Sequence, residues 1–587
     1  MAVFLILVTW VVWFSATWGI GVALAPLLVS HLRGNLRARA QMGIWIGFLA
    51  LVTVTVSLNF FIPISGVFGQ WIALGWIMVG IAFLGRWLYS ERLRLLAASR
   101  RAFTVRNLVP LLLVGLLAVS ALVVAWFAVA EPMDYDAGLY RLGIINYAAE
   151  YRAIPGLANL HSRFGFNSAL GPLAAFMGNG FWEDNGFRIV TGFVFLLLLT
   201  EVGLRILAPR KRTPGDFLIV LGWAFAAWVV LDDSGRWMAS PSQDLMALVT
   251  ALVAFVFLVD FINPSSRQPW FASAALITAA TSASIRPLSW LLVVSLLLTI
   301  YLASIWLKPR ERIGLGAHLY LLPTLGVIFV LGVVMMIRDA IISGWLLFPF
   351  TSFPLPLDWR TVNPKGDSLG ITWWGRAPGS SIDQAQAQGW FGPWLDSFIF
   401  GREMRFFALA VIASLLPILW LAGRRAWRQS WPAISLSLLP ALVVSMVWFV
   451  TAPDIRFGWA GLFALAGIPV AFLLAAHAYP RWLYQASFFV LVALGVATNS
   501  RAGHFDQRGN EPSAYSLNIA GREVSVLLGP PNAVRTVPGR LGDGTPIVYP
   551  RDSENCYMVF PLCLLPGGGA NIEKRGDSIT DGFRVIE

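Results

Sequence analysis

Three acidic residues stand together where a long apolar run ends, at Glu131, Asp134 and Asp136. A partly desolvated carboxylate at a membrane surface can take a proton from an acceptor hydroxyl or orient that hydroxyl for attack. The alternative is that Glu131 or Asp134 only caps and solvates a helix end, and we expect this for at least one of them. Asp136 is therefore our preferred catalytic residue and Asp134 the second candidate, because Gly138 and Tyr140 follow Asp136 where the chain turns toward a surface helix.

The same segment continues with polar residues threaded through apolar ones, and we assign Tyr140, His161, Arg163 and Asn167 to the substrate. The last three could hold a phosphate group or sugar hydroxyls. A structural hydrogen bond is the alternative for His161, one of five histidines in the chain. One histidine is too few for a metal site, but the neighbouring carboxylates could offer oxygen ligands to a divalent cation such as Mg²⁺ or Mn²⁺.

Charged residues also stand at the ends of later apolar runs, in the turns 232–244, 284–287 and 452–457. Charges among membrane spans are costly and usually face a protein interior or a cavity. Arg286 and Arg456 suit a lipid-linked phosphate, because a planar guanidinium binds phosphate oxygens through two hydrogen bonds. We assign Asp244 to the same substrate site. The alternative is that Asp454 and Arg456 pair only with each other or extend to the membrane interface.

Tryptophan neighbours charged residues in a later loop, at Asp358, Trp359 and Arg360 and again at Trp373, Trp374 and Arg376. A sugar presents an apolar ring face that packs on tryptophan and hydroxyls that bind charged groups. We therefore assign Asp358 and Trp359 to sugar binding. Most of the 27 tryptophans need no such role, since tryptophan is enriched at both membrane interfaces.

A membrane must position these residues, because the composition excludes an ordinary soluble domain. The 587 residues are 57% hydrophobic and only 13% charged, with a mean hydropathy of +0.69, far from the balance of soluble proteins. Apolar runs such as 108–130, 288–307 and 482–498 have the length needed to cross a hydrocarbon core of about 30 Å. Open strands would leave backbone groups unpaired in lipid. We therefore predict an all-α polytopic membrane protein.

Basic residues determine the predicted topology. The net charge of +12 is spread over short loops, so it indicates membrane orientation rather than nucleic-acid binding. With the basic clusters in the cytoplasm, the sequence predicts about fourteen spans with both termini outside, and a first span that is retained rather than removed as a signal peptide. Two long outer loops, 131–184 and 338–402, are expected to be ordered, to contain helices and to be functional.

The apolar runs stop near residue 499, which divides the chain into a membrane domain, 1–498, and a small C-terminal appendage, 499–587. Gly, Pro and short strand-like pieces such as 545–549 indicate an external α/β or β fold for the appendage. The only two cysteines, Cys556 and Cys563, lie there. In an oxidising compartment they can close a disulfide, and two free thiols are the alternative.

Several sequence blocks together resemble a known family, namely 135–140, 156–161, 343–345, 358–359 and 452–457. They follow the pattern of a largely uncharacterised bacterial branch of the GT-C superfamily of membrane glycosyltransferases, over nearly the whole chain. The resemblance implies transfer of a sugar from a polyprenyl-phosphate donor to a cell-envelope glycan, lipid or protein, at the outer, periplasmic face of the cytoplasmic membrane. It implies a catalytic base at Asp136 or Asp134 and places Arg456 near the donor phosphate.

The implied mechanism is a single inverting displacement. An acceptor hydroxyl, deprotonated by the aspartate, attacks the anomeric carbon while arginines stabilise the leaving lipid phosphate. No Walker-type or dinucleotide-binding glycine pattern occurs in the sequence, which fits a lipid-borne donor. Two other functions stay open. A polysaccharide polymerase or ligase would share the outer site, and a transporter or flippase of lipid-linked sugars would place its charges near the membrane midplane.

Overall fold

The computed structural model describes residues 1–29, 32, 35–102, 109–132, 134–180, 182–207, 212–232, 236–264, 266–306, 319–362, 364–377, 380–400, 425–476, 513–519, 522–528, 533–566 and 568–586. These residues form a mostly helical protein, in agreement with the predicted all-α polytopic class. The predicted span at 482–498 and the predicted domain boundary at 498 lie outside the described residues.

The α-helices of the described part are α1 (Ala2–Leu28), α2 (Leu36–Leu58), α3 (Val67–Ala102), α4 (Val109–Ala128), α5 (Leu142–Glu150), α6 (Leu170–Gly178), α7 (Phe187–Ile206), α8 (Pro214–Asp232), α9 (Arg236–Ala239), α10 (Gln243–Ile262), α11 (Pro269–Ile285), α12 (Trp290–Trp306), α13 (Leu322–Ser343), α14 (Pro364–Arg376), α15 (Ile382–Gln388), α16 (Phe391–Phe400), α17 (Arg425–Thr451) and α18 (Ile455–Ala476). Within these residues, nine helices are long and apolar enough to cross a membrane: α1, α2, α3, α7, α10, α12, α13, α17 and α18. Two shorter apolar segments lie in α4 and α8. The chain is therefore a multi-pass membrane protein, and the number of fourteen spans stays a prediction.

Helix α10 forms the centre of the bundle. Its residues from Asp244 to Ile262 are all buried, as expected for a helix that is apolar on every side. It packs against α7, α8, α11 and α18. Two aspartates, Asp244 and Asp260, stand near its opposite ends, and a rise of about 1.5 Å per residue places them about 24 Å apart. We call the two ends of the bundle the Asp244 end and the Asp260 end.

The first long loop folds onto the Asp244 end. After α4 the chain forms a π-helical turn at Ala137–Arg141, which we call the π-turn, and then α5, two short 3₁₀ turns and α6. The 3₁₀ turns are Leu157–Asn159 and Ser162–Gly165. The Ile64 amide donates to the Ala148 carbonyl at 3.0 Å and fixes α5 to the connection between α2 and α3. The loop is thus ordered by its own helices, as its sequence predicts.

The second long loop begins later than the sequence predicts. Helix α13 continues through Arg338 and Asp339 to Ser343. It ends where Gly344 adopts a left-handed conformation with a φ of 76°, the usual glycine position just after a helix. The loop therefore starts at Gly344 rather than at Arg338, and it carries α14, α15 and α16.

The C-terminal part contains three two-stranded antiparallel sheets. They pair β1 (Ser513–Ile519) with β2 (Arg522–Leu528), β3 (Thr536–Arg540) with β4 (Pro546–Pro550), and β5 (Ile572–Lys574) with β6 (Phe583–Val585). Cys556 and Cys563 form a disulfide with an S–S distance of 2.03 Å. The strand-like piece noted in the sequence at 545–549 corresponds to β4.

Candidate active site

Four aspartates and three arginines meet at the Asp244 end of the bundle: Asp134, Asp136, Asp244, Asp454, Arg141, Arg286 and Arg456. We call this group the charged cluster. It is assembled from the segment after α4, the π-turn, the first turn of α10, the end of α11 and the turn before α18. Five of its members were assigned to the site from the sequence, so the fold brings together residues that are far apart in the chain.

Arg141 lies at the centre of the charged cluster. Its Nη1 is 2.5 Å from Asp134 Oδ2, and its Nη2 is 3.0 Å from both Asp136 Oδ2 and Asp244 Oδ2. Its Nε donates to the Tyr140 hydroxyl at 3.3 Å. Burial by itself would lower the pKa of Arg141, but Tyr140 and the three carboxylates outweigh burial and raise that pKa well above its usual value. Arg141 therefore stays charged and fixes three carboxylates in place.

The π-turn explains how Arg141 reaches these partners. Asp136 precedes the turn and Arg141 is its last residue. A π-helix has hydrogen bonds between residues five apart, and such turns are frequent at functional sites. The wide turn brings Asp136 and Arg141 onto one face, where their side chains form an ion pair.

Arg456 joins the cluster from the other side. Its Nη1 is 3.4 Å from Asp136 Oδ2 and its Nη2 is 3.2 Å from Asp454 Oδ2. The Arg456 amide also donates to Asp454 Oδ1 at 3.0 Å. The Asp454–Arg456 pair considered from the sequence is therefore present, and Arg456 uses its remaining donor to reach Asp136.

Asp136 and Asp134 differ in accessibility. The Asp136 side chain is 20% exposed and the Asp134 side chain 3%. The described hydrogen bonds to Asp136, from Arg141 and Arg456, both go to its Oδ2. Burial raises the pKa of Asp134 above the usual carboxyl value, although Arg141 opposes this. Asp136 is thus the more accessible of the two carboxylates, and the buried Asp134 forms an ion pair with Arg141.

Two arginines of the cluster border a cavity. Arg286 Nη1 is 3.6 Å from Asp244 Oδ1, a distance too long for a strong hydrogen bond, and its guanidinium lies 4.1 Å from the centre of the Phe457 ring. Arg456 lies over the same ring at 5.6 Å. Phe457 therefore supports both guanidinium groups, and Arg286 keeps hydrogen-bonding capacity for an anion.

The cavity beside these arginines has a volume of about 40 Å³. Asp244, Arg286 and Arg456 form its polar end. The rest of its wall is mainly apolar and comes from α10, α12, α17 and α18, with Leu248, Ala251, Phe255, Leu292 and Val444 among the lining residues. The arrangement presents positive charge at one end of an apolar slot between membrane helices.

Two tryptophans fix the turn that carries Arg456. Trp394 Nε1 donates to the Pro453 carbonyl at 2.9 Å, and Trp448 Nε1 donates to the Asp454 carbonyl at 2.6 Å. Both indoles thereby satisfy backbone groups of the turn between α17 and α18. Neither tryptophan was singled out from the sequence, because an interface belt accounts for most tryptophans of a membrane protein.

Comparison with known proteins places the chain in a family. A family model described as Domain of unknown function (DUF8201) matches residues 3–463. The chain belongs to this family. The match includes the whole charged cluster and ends before the C-terminal sheets. No curated protein and no solved structure matches the chain.

Three residues that the sequence assigned to the substrate have contacts of their own within this family domain. His161 Nδ1 accepts a hydrogen bond from the Arg163 amide at 3.0 Å, and burial lowers the pKa of His161 to about 4. Asn167 Oδ1 accepts from Arg338 Nη1 at 2.9 Å. Burial raises the pKa of Tyr140, and Arg163 is one of the charges that oppose this rise. His161 and Asn167 thus make local contacts, so their assignment to the substrate stays a prediction, and Arg163 acts electrostatically on a neighbour of the charged cluster.

Asp358 and Trp359 lie in the second long loop and contact the C-terminal part of the chain. Asp358 Oδ2 is 2.8 Å from Arg575 Nε, and this hydrogen bond lowers the pKa of Asp358. The Arg575 guanidinium also lies 4.6 Å from the Trp359 ring centre. Trp359 Nε1 donates to the Ala340 carbonyl at 3.1 Å. Their described contacts join two segments of the protein rather than the charged cluster.

The carboxylates of the charged cluster are paired with an arginine. Among the described residues, no group of three or more His, Cys, Asp or Glu side chains is arranged to hold a metal ion. Asp134, Asp136 and Asp244 converge on the guanidinium of Arg141. A cation would have to compete with Arg141 for these carboxylates.

A second charged group lies at the Asp260 end, and sequence reasoning missed it together with Arg141. Arg205 Nε is 2.6 Å from Glu201 Oε1, and its Nη1 is 2.6 Å from Asp260 Oδ2 and 3.5 Å from Asp216 Oδ1. All four side chains are fully buried. The available signal was the presence of ionised residues inside apolar spans, which is rare and usually marks interior polar groups.

Proposed function

We propose that the protein is a membrane glycosyltransferase that moves a sugar from a polyprenyl-phosphate donor to an acceptor hydroxyl at the outer face of the cytoplasmic membrane. The observation that carries the proposal is the position of Asp136. Its Oδ2 binds Arg141 and Arg456, and the side chain is partly exposed. A carboxylate held in this way beside cavity-lining arginines suits a base that works next to a bound anion.

The donor phosphate is proposed to bind at Arg286 and Arg456. A lipid phosphate carries its charge at the end of a long apolar chain, and the cavity has the matching order of a charged end and an apolar wall. Guanidinium groups bind phosphate oxygens through paired hydrogen bonds. A phosphate at Arg456 also competes with Asp136 for that arginine, which releases Asp136 from one of its two ion pairs.

The proposed reaction is a single displacement at the anomeric carbon. Asp136 Oδ1 takes the proton of the acceptor hydroxyl, whose oxygen forms the new bond to the anomeric carbon. The bond between that carbon and the phosphate oxygen breaks, and its electron pair leaves with the lipid phosphate toward Arg286 and Arg456. Preorganised arginines stabilise such developing negative charge more effectively than water does. The anomeric configuration inverts because attack and departure occur on opposite faces.

The remaining members of the charged cluster are proposed to position these groups. Asp134 and Asp244 bind Arg141, and Arg141 binds Asp136. Asp454 fixes Arg456 through its side chain and the backbone of the turn. Catalytic groups gain rate when neighbouring residues hold them in a productive geometry.

The proposal is tested with the full-length protein in nanodiscs. We would supply a panel of polyprenyl-phosphate sugars with candidate glycan, lipid and peptide acceptors, follow release of lipid phosphate, and compare the native chain with Asp136→Asn. Asp383→Asn, an exposed aspartate in α15, is the matched control. Turnover that is lost in Asp136→Asn and kept in Asp383→Asn is expected. Equal turnover in all three chains would exclude Asp136 as the base.

The buried group around Arg205 favours one second candidate function. Charged residues at both ends of α10 would suit a transporter or flippase of lipid-linked sugars, which must pass polar groups between two sides of a membrane. In proteoliposomes, donor movement across the membrane without release of lipid phosphate would identify transport. A product with many sugar units would identify a polysaccharide polymerase or ligase that uses the same arginines.

A further inference from the structure

The C-terminal disulfide loop, residues 554–563, lies on the π-turn. The amides of Cys556 and Tyr557 both donate to the Gly138 carbonyl, at 3.0 and 2.9 Å. The Tyr557 ring packs against Gly138 so closely that an added Cβ would stand 2.7 Å from a ring carbon. The π-turn is therefore covered on its Gly138 side by a segment from the far end of the chain.

The disulfide loop also contacts residues on both sides of Gly138 in the chain. The Tyr135 hydroxyl, on the residue between Asp134 and Asp136, donates to Glu554 at 2.5 Å. On the α5 side, the Tyr147 hydroxyl donates to the Pro561 carbonyl, and the Tyr147 and Phe560 rings lie 4.9 Å apart. The loop thus contacts residues before, within and after the π-turn.

The disulfide connects this loop to the sheet behind it. Cys556 is the residue that binds Gly138, and its partner Cys563 pairs with Val548 of β4. Hydrogen bonds from Val548 to Leu562 and from Leu564 to Val548, both 3.0 Å, hold the Cys563 side of the loop. The disulfide therefore links Cys556, which binds Gly138, to Cys563, which lies beside β4.

A second docking point of the C-terminal part lies away from the π-turn. The Phe583 amide donates to the Pro155 carbonyl at 2.9 Å, and Asn159 Nδ2 donates to the Phe583 carbonyl at 3.1 Å. Arg575 binds Asp358 as described above. None of these contacts involves Cys556 or Cys563, so the two docking points can be tested separately.

We propose that the disulfide loop 554–563 is a positioning element of the active site, which holds the π-turn so that Asp136 and Arg141 face each other, and that full turnover requires the Cys556–Cys563 bond. This inference rests on the proposed function for its effect on turnover. The holding of the π-turn itself does not depend on which reaction the protein performs. Reduction would release the Cys556 side of the loop, since a disulfide restricts the conformations of the segment it closes.

The experiment measures hydrogen exchange and turnover on the same full-length protein. Exchange in peptides covering 137–142 is compared between the native chain, the native chain treated with a thiol reductant, and Cys556→Ser with Cys563→Ser. Arg575→Gln, which alters only the second docking point, is the matched control. We expect faster exchange at 137–142 after reduction and in the double variant, and native exchange there in Arg575→Gln.

Turnover is expected to fall roughly tenfold to a hundredfold without the disulfide, since misplacement of reacting groups by about 1 Å can cost about a hundredfold in rate. The donor KM is expected to change less, because Arg286 lies outside the π-turn. Tyr557→Ala is expected to reproduce the loss, and Tyr557→Phe, which keeps the ring on Gly138, to restore most of the turnover.

Two results would overturn the inference. Equal exchange at 137–142 with and without the disulfide would show that the loop does not hold the π-turn. Faster exchange with unchanged turnover would show that its hold has no catalytic consequence. If the native chain turns over no donor, the proposed function fails, and the exchange rates alone then decide whether the loop holds the π-turn.

Discussion

Arg456 Nη1 lies 3.4 Å from Asp136 Oδ2, although the two residues are 320 positions apart in the chain. Arg456 also binds Asp454, so one guanidinium links the first long loop to the turn between α17 and α18. The same guanidinium borders the cavity. An anion that enters the cavity therefore acts directly on an ion pair of the candidate base.

Replacing Arg141 by Gln is expected to destabilise the protein strongly. The change leaves Asp134, Asp136 and Asp244 facing each other without their shared cation, and removal of one partner from a buried ion pair costs about 3–5 kcal/mol. The measurement is the free energy of unfolding in detergent. Arg535→Gln, in an exposed pair with Asp552, should change it by less than about 1 kcal/mol. A similar small effect for both variants would contradict the central role of Arg141.

Arg286→Lys is expected to weaken donor binding with little effect on folding. Lysine keeps the charge but loses the planar pair of donors that matches a phosphate, and a charge-assisted hydrogen bond contributes about 1.5–3 kcal/mol. We expect a rise in the donor KM of roughly tenfold or more, with Arg540→Lys, an exposed arginine of β3, as the control. An unchanged KM would remove Arg286 from the phosphate site.

Gly138→Ala is expected to displace the disulfide loop from the π-turn. The new methyl group would stand 2.7 Å from a carbon of the Tyr557 ring, which is closer than van der Waals contact allows. The ring or the turn must therefore move. Gly370→Ala in α14 is the matched control, because nothing lies within 4 Å of a methyl group there. Limited proteolysis between 550 and 566 should be faster in Gly138→Ala and unchanged in Gly370→Ala. Native protection in both would show that the turn tolerates the methyl group.

Stability is expected to decrease below about pH 6.5 because of His161. Burial lowers the pKa of the folded imidazole to about 4 from 6.5. Between these two pH values the imidazole is protonated in the unfolded chain and neutral in the folded chain. The loss builds up as the pH falls from 6.5 toward 4, at no more than about 1.4 kcal/mol per pH unit, and this group has no effect above that window. Thermal unfolding of the native chain and His161→Asn across this range should show a smaller pH dependence in the variant. Parallel curves would mean that His161 is not the group responsible.

The charged turns could be found from the sequence because ionised residues contrast sharply with the apolar runs beside them. Asp136, Asp244, Arg286 and Arg456 all stand at the end of such a run, where a buried charge usually has a function. The sequence does not show which turns meet. Arg141 was overlooked because its role depends on a π-helical turn, and no periodic pattern distinguishes that turn from an ordinary helix start.

The contacts of His161, Asn167, Asp358 and Trp359 could not be predicted from residue type, and their assignment to the substrate stays a prediction. His161 bonds to an amide two residues away and Asn167 to an arginine of α13. Asp358 meets Arg575, which is 217 positions further along the chain. A polar side chain in a functional loop has many partners available, and only the tertiary fold selects among them.

The distance in sequence between the π-turn and its cover has a consequence for biosynthesis. Tyr135 and Glu554 are separated by 419 residues. At a synthesis rate of about 5–20 residues per second, the first long loop waits roughly 20–80 s on the nascent chain before its cover is made. A ribosome that stops early leaves the helices of the membrane domain inserted with the π-turn bare. The π-turn can therefore acquire its cover only after the disulfide loop has been translated.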